Sequence, residues 1–238
     1  MVAIVKKPLT FEEFLNWDDG SGRSFELVQG VAMPLSEPTA KHEDVVDGLC
    51  RQLINHCQGL NLPYVPRQSK QVRLHSAPSE NESSRKADIV VFAKEEWERM
   101  RQSSASAAAY IPPPLVIEVV STNWRDDYRI KLNEYETLGI LEYWIVDYAG
   151  LGGIQYIGSP KQPTVTINRL IDGEYQAERY QGDATILSPT FPQLGINNRP
   201  NCGNDSRVGR SARLVQYPYR HCSTLSGACW ILDCFADY

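Results

Sequence analysis

The segment Leu115-Val116-Ile117-Glu118-Val119-Val120 decides the fold. Its residues are mostly β-branched and nearly all apolar, which is typical of a central strand covered on both faces. Such a strand predicts an α/β domain in which helices flank the sheet. Glu118 is the exception, because a carboxylate inside a desolvated strand is costly unless it is paired or binds a cation. The segment therefore predicts a buried acid that needs a partner.

The segments on either side of this strand complete the predicted core. The apolar run over residues 89–92 is typical of a strand, with Asp88 at its entrance. Downstream, residues 126–138 have the pattern of a helix, and Glu142–Asp147 follows as a half-buried strand. The Ser/Ala-rich segment 101–114 ends in three prolines and predicts a mobile loop between strands.

Further elements are predicted on both sides of this core. Thr10 and Glu13 have the spacing of a capping box, so a short helix should begin there. The other predicted elements are a hairpin of Phe25–Val28 and residues 31–33, an amphipathic helix over residues 41–57, extended chain over residues 64–74, a polar insertion over residues 75–85, and a hairpin of Thr164–Ile171 and residues 174–180. These patterns together predict an α/β (α+β) domain with a mixed sheet flanked by helices.

Composition limits the class of protein. The chain has 238 residues, 42% of them hydrophobic, and a formal charge of −5. There is no run of 18 or more apolar residues, and the apolar N-terminal stretch is too short for a signal peptide, so we expect a cytoplasmic protein with no membrane contact. Because the charge gives no general attraction for polyanions, nucleic-acid binding would need a local basic surface or bound metal ions.

The sequence changes character beyond Asn197. Arg, Cys, Ser and Gly are scattered there without a period, so we predict one domain over residues 1–197 and a poorly ordered tail over residues 198–238. Cys50 and Cys57 lie on the apolar face of a predicted helix and are expected to be core thiols. The histidine and cysteines of the tail match no paired zinc-ligand spacing, which argues against a zinc site.

Three acids lie beside or within apolar segments: Glu26, Asp88 and Glu118. Together they favour a metal site, and hard carboxylate ligands favour Mg²⁺ or Mn²⁺. One or two such ions support phosphodiester hydrolysis, since they generate a hydroxide nucleophile and stabilise the leaving oxygen. A lysine usually completes such a site. The nearest candidate is Lys131, with Tyr135 one turn further along the same helix face.

Simpler interpretations exist for each acid taken alone. A strand-end acid such as Asp88 or Glu118 commonly caps a helix or pairs with an arginine. Arg85 and Arg125 are the arginines within reach in the sequence. The three acids as a set favour a site over these separate explanations.

The other candidate residues also have structural interpretations. Lys131 has the i,i+4 spacing of an ion pair with Asp127, which is common on solvated helix faces. Tyr135 fits a core position. His42 precedes the apolar helix, where a local cap or turn is its simplest role, with a part in the site as the alternative.

A larger set of residues resembles one known family. The residues are Phe25-Glu26-Leu27-Val28-Gln29-Gly30, His42, Ala87-Asp88-Ile89-Val90-Val91, Pro114 to Ser121, Asp127, Lys131, Tyr135 and Gly139 to Asp147. In these residues the chain resembles the Uma2 (DUF820-type) family of restriction-endonuclease-like proteins. The resemblance extends over roughly four-fifths of the sequence.

The resemblance implies a fold and a set of roles. The fold is a PD-(D/E)XK nuclease core, a mixed sheet flanked by helices. Asp88 and Glu118 match the metal-binding acids of the family, and Glu26 matches an accessory acid that binds a second ion or supports the first. Mg²⁺ or Mn²⁺ is the implied cofactor and DNA the implied partner. A homodimer is expected by family analogy alone.

The chain departs from the family pattern in three places. Ala87 replaces the usual proline before the first acid, which affects backbone shape rather than chemistry. Val120 replaces the usual lysine, and Lys131 fits the place of a lysine that has migrated to a neighbouring helix, as occurs elsewhere in the superfamily. The tail over residues 198–238 has no counterpart in the family.

Two functions from different classes follow from these residues. The first is a metal-dependent DNA endonuclease, in which Asp88 and Glu118 hold the ion and Lys131 orients or polarises the attacking water. The second is a nuclease-fold module that binds nucleic acid or protein without cutting, which the acidic charge and the displaced lysine favour. Phosphate-binding glycine loops, the GxSxG elbow and the HExxH motif are absent from the sequence, which argues against other common enzyme classes.

Overall fold

The computed structural model describes residues 7–74, 81–103, 105–192 and 194. Its strands are β1 (Phe25–Val28), β2 (Val31–Pro34), β3 (Tyr64–Arg73), β4 (Ser84–Ala93), β5 (Leu115–Val119), β6 (Glu142–Asp147), β7 (Thr164–Ile171) and β8 (Glu174–Gln181). Its helices are α1 (Phe11–Leu15), α2 (Ala40–Gly59), α3 (Lys94–Ser103), α4 (Lys131–Leu138) and α5 (Ile154–Ile157), and a π-helical turn over Asp126–Ile130 leads directly into α4.

One mixed sheet contains all eight strands, in the order β2-β1-β4-β5-β6-β7-β8 with β3 paired to β4 outside this path. The pair β5–β6 is parallel, while β4 and β5 are antiparallel. All five residues of β5 are buried. The predicted mixed sheet with a covered central strand is therefore confirmed.

The two faces of β5 belong to two hydrophobic cores. Leu115 and Ile117 pack in the core that includes the apolar face of α2. Val116 lies in the opposite core with Tyr135 and Leu138 of α4. Because side chains alternate along a strand, Glu118 shares the face of Val116 and points toward α4. The strand thus delivers its one carboxylate to the helix that carries Lys131.

Strand β4 is paired on both edges. One edge pairs with β3 alone, whereas β1 and β5 pair with different parts of the other edge and leave a gap between them. On one edge β3 follows β4 from Ser84 to Ala93. On the other edge β1 pairs only at Ser84, and β5 pairs at residues 89–91. Residues 85–88 therefore lie in a fork where β1 and β5 diverge from β4.

The capping box predicted for Thr10 and Glu13 is confirmed at the start of α1. The hydroxyl of Thr39 accepts a hydrogen bond from the backbone N–H of His42 and so caps α2. The α4 helix ends at Gly139, whose φ of 83° satisfies the left-handed conformation that favours glycine.

The middle of the chain differs from the sequence prediction in three places. Asp88 lies within β4 rather than at its entrance, because the strand begins at Ser84. Helix α3 was not expected, since Met100 is its only buried residue and its apolar pattern is weak. The segment expected to be a mobile loop begins inside α3, and Ala109 is hydrogen-bonded to β3 through both its N–H and its C=O.

Other expectations fall outside the described residues. The domain limit at residue 197, the tail over residues 198–238 and its cysteines lie there, and so does the centre of the polar insertion. Cys50 and Cys57 are described, and both are buried free thiols, as expected. Among the described helices, none has the length and apolar character needed to cross a membrane.

The carboxylate of Asp147 gives a test of how β6 is anchored. It is fully buried and accepts hydrogen bonds from the N–H groups of Leu151 (2.8 Å) and Gly152 (2.7 Å). We predict that Asp147→Ala lowers the free energy of unfolding in urea by about 2–3 kcal/mol, because two amides lose a charged acceptor. The exposed control Glu174→Ala should change it by less than about 0.5 kcal/mol. Equal effects of the two substitutions would contradict this anchoring role.

Candidate active site

The fork opens into a cavity of about 730 Å³. Its walls are the four fork residues, the N-terminal end of α2, the C-terminal end of β5 and the π-helical turn before α4. Asp88 and Glu118 both line it. The sheet, α2 and α4 therefore bring the predicted acids of two different strands into one space.

Asp88 is the partly exposed acid of the pair, with 23% of its side chain accessible. Its Oδ2 atom accepts a hydrogen bond of 2.7 Å from the N–H of Val119, which bridges the fork from β4 to β5. Across the β3–β4 ladder, the regular pairing is interrupted opposite Asp88, at Ser69, whose φ is 53°. Backbone strain of this kind is common at functional sites.

Glu118 is almost completely buried, at 1% exposure, and both of its oxygens have partners. Oε1 accepts a hydrogen bond of 2.8 Å from the hydroxyl of Tyr135. Oε2 lies 3.1 Å from Nζ of Lys131, which also lies 2.9 Å from Oδ1 of Asp127. The lysine of α4 thus links two buried carboxylates.

The electrostatics of this cluster follow from burial and an excess of acids. Burial raises the pKa of Glu118 to about 8, and Asp88 and Asp127 add to the shift against the opposing effect of Lys131. Burial likewise raises the pKa of Asp127. Burial alone would lower the pKa of Lys131, but the surrounding carboxylates outweigh it and raise that pKa well above its ordinary value. The cluster therefore keeps the lysine charged and takes up an additional proton on its acids.

His42 lines the cavity, so the geometry favours a part in the site over a role as a local cap or turn alone. Its Nε2 atom is 3.0 Å from the carbonyl oxygen of Val119 and 3.4 Å from Oδ2 of Asp88. Burial, the largest effect, lowers the pKa of His42, but its hydrogen bond with Asp88 and the charge of Asp88 raise it overall. The first turn of α2 is in this way attached to both acid-bearing strands.

Glu26 lies at the other end of the fork and is engaged by neighbouring groups. Its Oε2 accepts a hydrogen bond of 2.9 Å from Arg85, and its Oε1 accepts one of 3.0 Å from the N–H of Lys86. Arg85 also donates two hydrogen bonds of 2.7 Å to Glu134 of α4. Glu26 and Arg85 thereby hold the helix that carries Lys131.

The simpler interpretations of the two acids are not what the structure shows. Arg85 pairs with Glu26 and Glu134, and the guanidinium of Arg125 lies 4.4 Å from the ring centroid of Trp124. Neither arginine forms an ion pair with Asp88 or Glu118 among the described residues. The predicted pair of Lys131 with Asp127 does form, but it is buried and shared with Glu118.

The donor set of the cluster fits one divalent cation. Asp88, Glu118 and Asp127 carry three negative charges when ionised, against the single positive charge of Lys131, which leaves an excess of two. Within the described part of the chain, no three histidine, cysteine or carboxylate side chains are already arranged as a complete ligand set. Mg²⁺ is commonly held by only one or two carboxylates while it keeps several waters. A site of this kind would use Asp88 and Glu118 as its protein ligands.

Sequence reasoning brought together most of this site but gave two residues too little weight. Glu118 contacts both Lys131 and Tyr135. Asp88 lines the same cavity as Glu118, whereas Glu26 lies further along the fork. The local sequence indicates Asp127 only as a partner for Lys131, and Arg85 only as a partner for the acids. The bonds of Arg85 to residues 59 and 49 positions away depend on the topology.

Comparisons with known proteins agree with this architecture. A family model, Uma2, described as "putative restriction endonuclease", matches residues 11–199. A solved structure of "a putative nuclease belonging to DUF820" from Anabaena variabilis ATCC 29413 shares 17% sequence identity with a TM-score of 0.58. The match covers 77% of this chain and 91% of that chain. No curated protein matches the sequence. At this identity the structural similarity establishes the fold, and it confirms the predicted nuclease-like core.

The raised pKa of Glu118 gives a test of the charge excess in metal-free protein. The folded state keeps on Glu118 a proton that the unfolded chain releases near the ordinary value of 4.5. Stability from this proton is complete below about pH 4.5 and is lost as the pH rises to about 8. We predict that the free energy of unfolding in EDTA falls between about pH 5 and about pH 8.

The matched variant is Glu118→Gln, which keeps the side-chain shape and removes the titrating group. Its unfolding free energy should depend much less on pH across the same window. The measurement is urea unfolding at a series of pH values. A wild-type stability that rises through this window, or the same slope in both proteins, would show that Glu118 keeps its charge.

Proposed function

The chain belongs to the Uma2 family, and from that premise and the geometry of the fork we propose that it is a divalent-metal-dependent endonuclease that hydrolyses phosphodiester bonds of DNA. The observation that carries this proposal is the cluster of Asp88, Glu118, Asp127 and Lys131 at the cavity, which has an excess of two negative charges when its three acids are ionised. A charge excess of this size is costly inside a protein unless a cation balances it.

Asp88 and Glu118 would hold Mg²⁺ or Mn²⁺ at the end of the fork. A bound ion of this kind lowers the pKa of a water molecule, polarises the scissile phosphate and stabilises the leaving oxygen. The protein keeps the two carboxylates in place: the N–H of Val119 holds Asp88, and the hydroxyl of Tyr135 holds Glu118. Tyr135 is in this proposal a positioning residue rather than a catalyst.

Lys131 serves as a cation and hydrogen-bond donor, not as a base. Its pKa is raised well above the ordinary value by the surrounding carboxylates, against the opposing effect of burial, so its Nζ keeps its proton at neutral pH. From its place beside Glu118 the ammonium orients the attacking water and stabilises negative charge on the phosphate oxygens. Glu26 acts at a distance, by holding Arg85 and through it the α4 helix.

The acidity of the cavity makes substrate binding depend on cations. Seven carboxylates line the cavity against three lysines and arginines. A polyanion would be repelled by this surface until bound divalent ions offset the excess. The overall charge of −5 has the same consequence. Nucleic-acid affinity should therefore increase sharply with the concentration of Mg²⁺ or Mn²⁺.

A second candidate function is a nuclease-fold module that binds nucleic acid without cutting it. Val120 at the usual place of the lysine favours this alternative. The two functions share the metal site and differ in hydrolysis. The Lys131→Met variant distinguishes them, because it removes the group that the endonuclease needs and leaves the two metal-binding acids.

The central prediction concerns four conservative variants, studied by Mn²⁺ calorimetry and by nicking of supercoiled plasmid. Asp88→Asn and Glu118→Gln should weaken Mn²⁺ binding and reduce nicking by at least about 100-fold, since each removes a carboxylate ligand. Lys131→Met should bind Mn²⁺ at least as tightly as wild type, because a competing positive charge is gone, yet lose about 100-fold in nicking. Glu37→Gln, at an exposed acid of the cavity wall, is the control and should retain both properties.

Two results would contradict the proposal. Absence of saturable Mn²⁺ binding in wild-type protein would make the acids structural. Metal binding by the wild type without nicking of plasmid or single-stranded DNA would favour the binding module instead.

A further inference from the structure

A patch of aromatic and arginine side chains lies beside the rim of the cavity. It consists of Trp124, Arg125, Arg129, Tyr156 and Arg179, and is called the Trp124 patch below. The rings of Trp124 and Tyr156 are partly exposed and their centroids lie 6.0 Å apart. The cavity wall includes both Asn123 and Asp126, which flank Trp124 and Arg125 in the chain. Trp124 and Arg125 therefore lie between two residues of the cavity wall, which places this end of the patch next to the site.

The two aromatic rings of the patch pack against neighbouring residues. Tyr128 is buried and stacks on one face of Tyr156, with centroids 4.7 Å apart and an interplanar angle of 24°. Trp124 packs against the backbone of Gly153, where a Cβ atom would lie 3.0 Å from the indole ring. These contacts fix the two rings in place although they remain partly exposed. Rigid, part-exposed rings are well suited to stacking on a flat ligand.

The arginines of the patch have no carboxylate partners among the described residues. Arg125 lies over the ring of Trp124 at 4.4 Å, Arg129 donates to the hydroxyl of Tyr156 at 2.9 Å, and Arg179 donates to the carbonyl of Gln155 at 3.0 Å. Six other arginines of the described chain each form an ion pair with a carboxylate. In a chain of net charge −5, the patch is thus a local concentration of uncompensated positive charge.

We propose that the Trp124 patch binds an unpaired stretch of nucleic acid next to the scissile phosphate. This inference rests on the proposed function and adds the class of substrate, a single strand or a single-stranded end or gap. Bases would stack on Tyr156 and on the guanidinium of Arg125 that lies over Trp124, while Arg129 and Arg179 contact the phosphates. Single-strand binding commonly combines such aromatic platforms with a positively charged track, and only unpaired bases offer free faces to them.

The test is fluorescence anisotropy of the full chain with a labelled oligo-dT, and with a duplex of the same length, in Ca²⁺. Ca²⁺ prefers the same oxygen ligands as Mg²⁺ and offsets the acidic cavity. Wild type should prefer the single strand. Tyr156→Leu should weaken single-strand binding by roughly fivefold to 150-fold, the range found for a lost stacking partner. Tyr156→Phe, which keeps the ring, should bind within about threefold of wild type.

Charge variants provide a second arm that retains both aromatic rings. Arg129→Gln and Arg179→Gln should each weaken single-strand binding severalfold and make the salt dependence shallower by about 0.7 in log–log slope. Arg51→Gln, at an exposed arginine on α2, is the control and should leave both unchanged. Equal affinity of wild type and the patch variants for oligo-dT, or no preference for single strands, would overturn the proposal.

Mn²⁺ calorimetry on the same variants separates this proposal from the proposed function. The patch variants should bind Mn²⁺ as wild type does, because none of their residues is a metal ligand. If metal binding and nicking are intact while patch variants bind oligo-dT normally, the patch proposal alone is wrong. If the wild type binds oligo-dT but neither binds metal nor cuts, and the patch variants bind oligo-dT more weakly, the endonuclease proposal is wrong. The patch proposal is then supported by itself.

Discussion

The ammonium of Lys131, held between the carboxylates of Glu118 and Asp127, is the interaction on which the site depends. A carboxylate in a central, fully covered strand has no water to stabilise it, so its charge must be met by protein groups or by an ion. One lysine meets only part of that requirement, because Asp88 adds a third negative charge nearby. The surrounding strands and helices bring these groups together and leave a cavity beside them.

The strands and helices divide this task. The fork in β4 keeps the backbone of residues 85–88 away from β1 and β5, which leaves room for a cavity in the middle of a continuous sheet. Helix α4 supplies Lys131 and Tyr135, and Arg85 fastens the same helix to the fork through Glu134. His42 connects the N-terminal turn of α2 to the opposite side.

Local pattern predicted the elements and most of the acids. The apolar run of β5, the repeat along α2 and the capping box of α1 are set by neighbouring residues, so the sequence was sufficient for them. Contacts between distant residues were not predictable, because they depend on register and topology. His42 contacts Val119, which is 77 residues away in the chain, and Trp124 contacts Tyr156, which follows it only after α4 and β6. Helix α3 escaped prediction because it is short and mostly charged and buries only Met100, so it has too few apolar residues to form a recognisable repeat.

Anomalous diffraction from crystals of metal-free protein soaked in Mn²⁺ shows directly whether the acids of the fork form a cation site. We expect an anomalous peak between the carboxylates of Asp88 and Glu118, and no such peak in Asp88→Asn crystals. The contradicting result is a wild-type crystal in which Lys131 still bridges Glu118 and Asp127 and no Mn²⁺ lies at the fork, at Mn²⁺ concentrations that saturate nuclease metal sites.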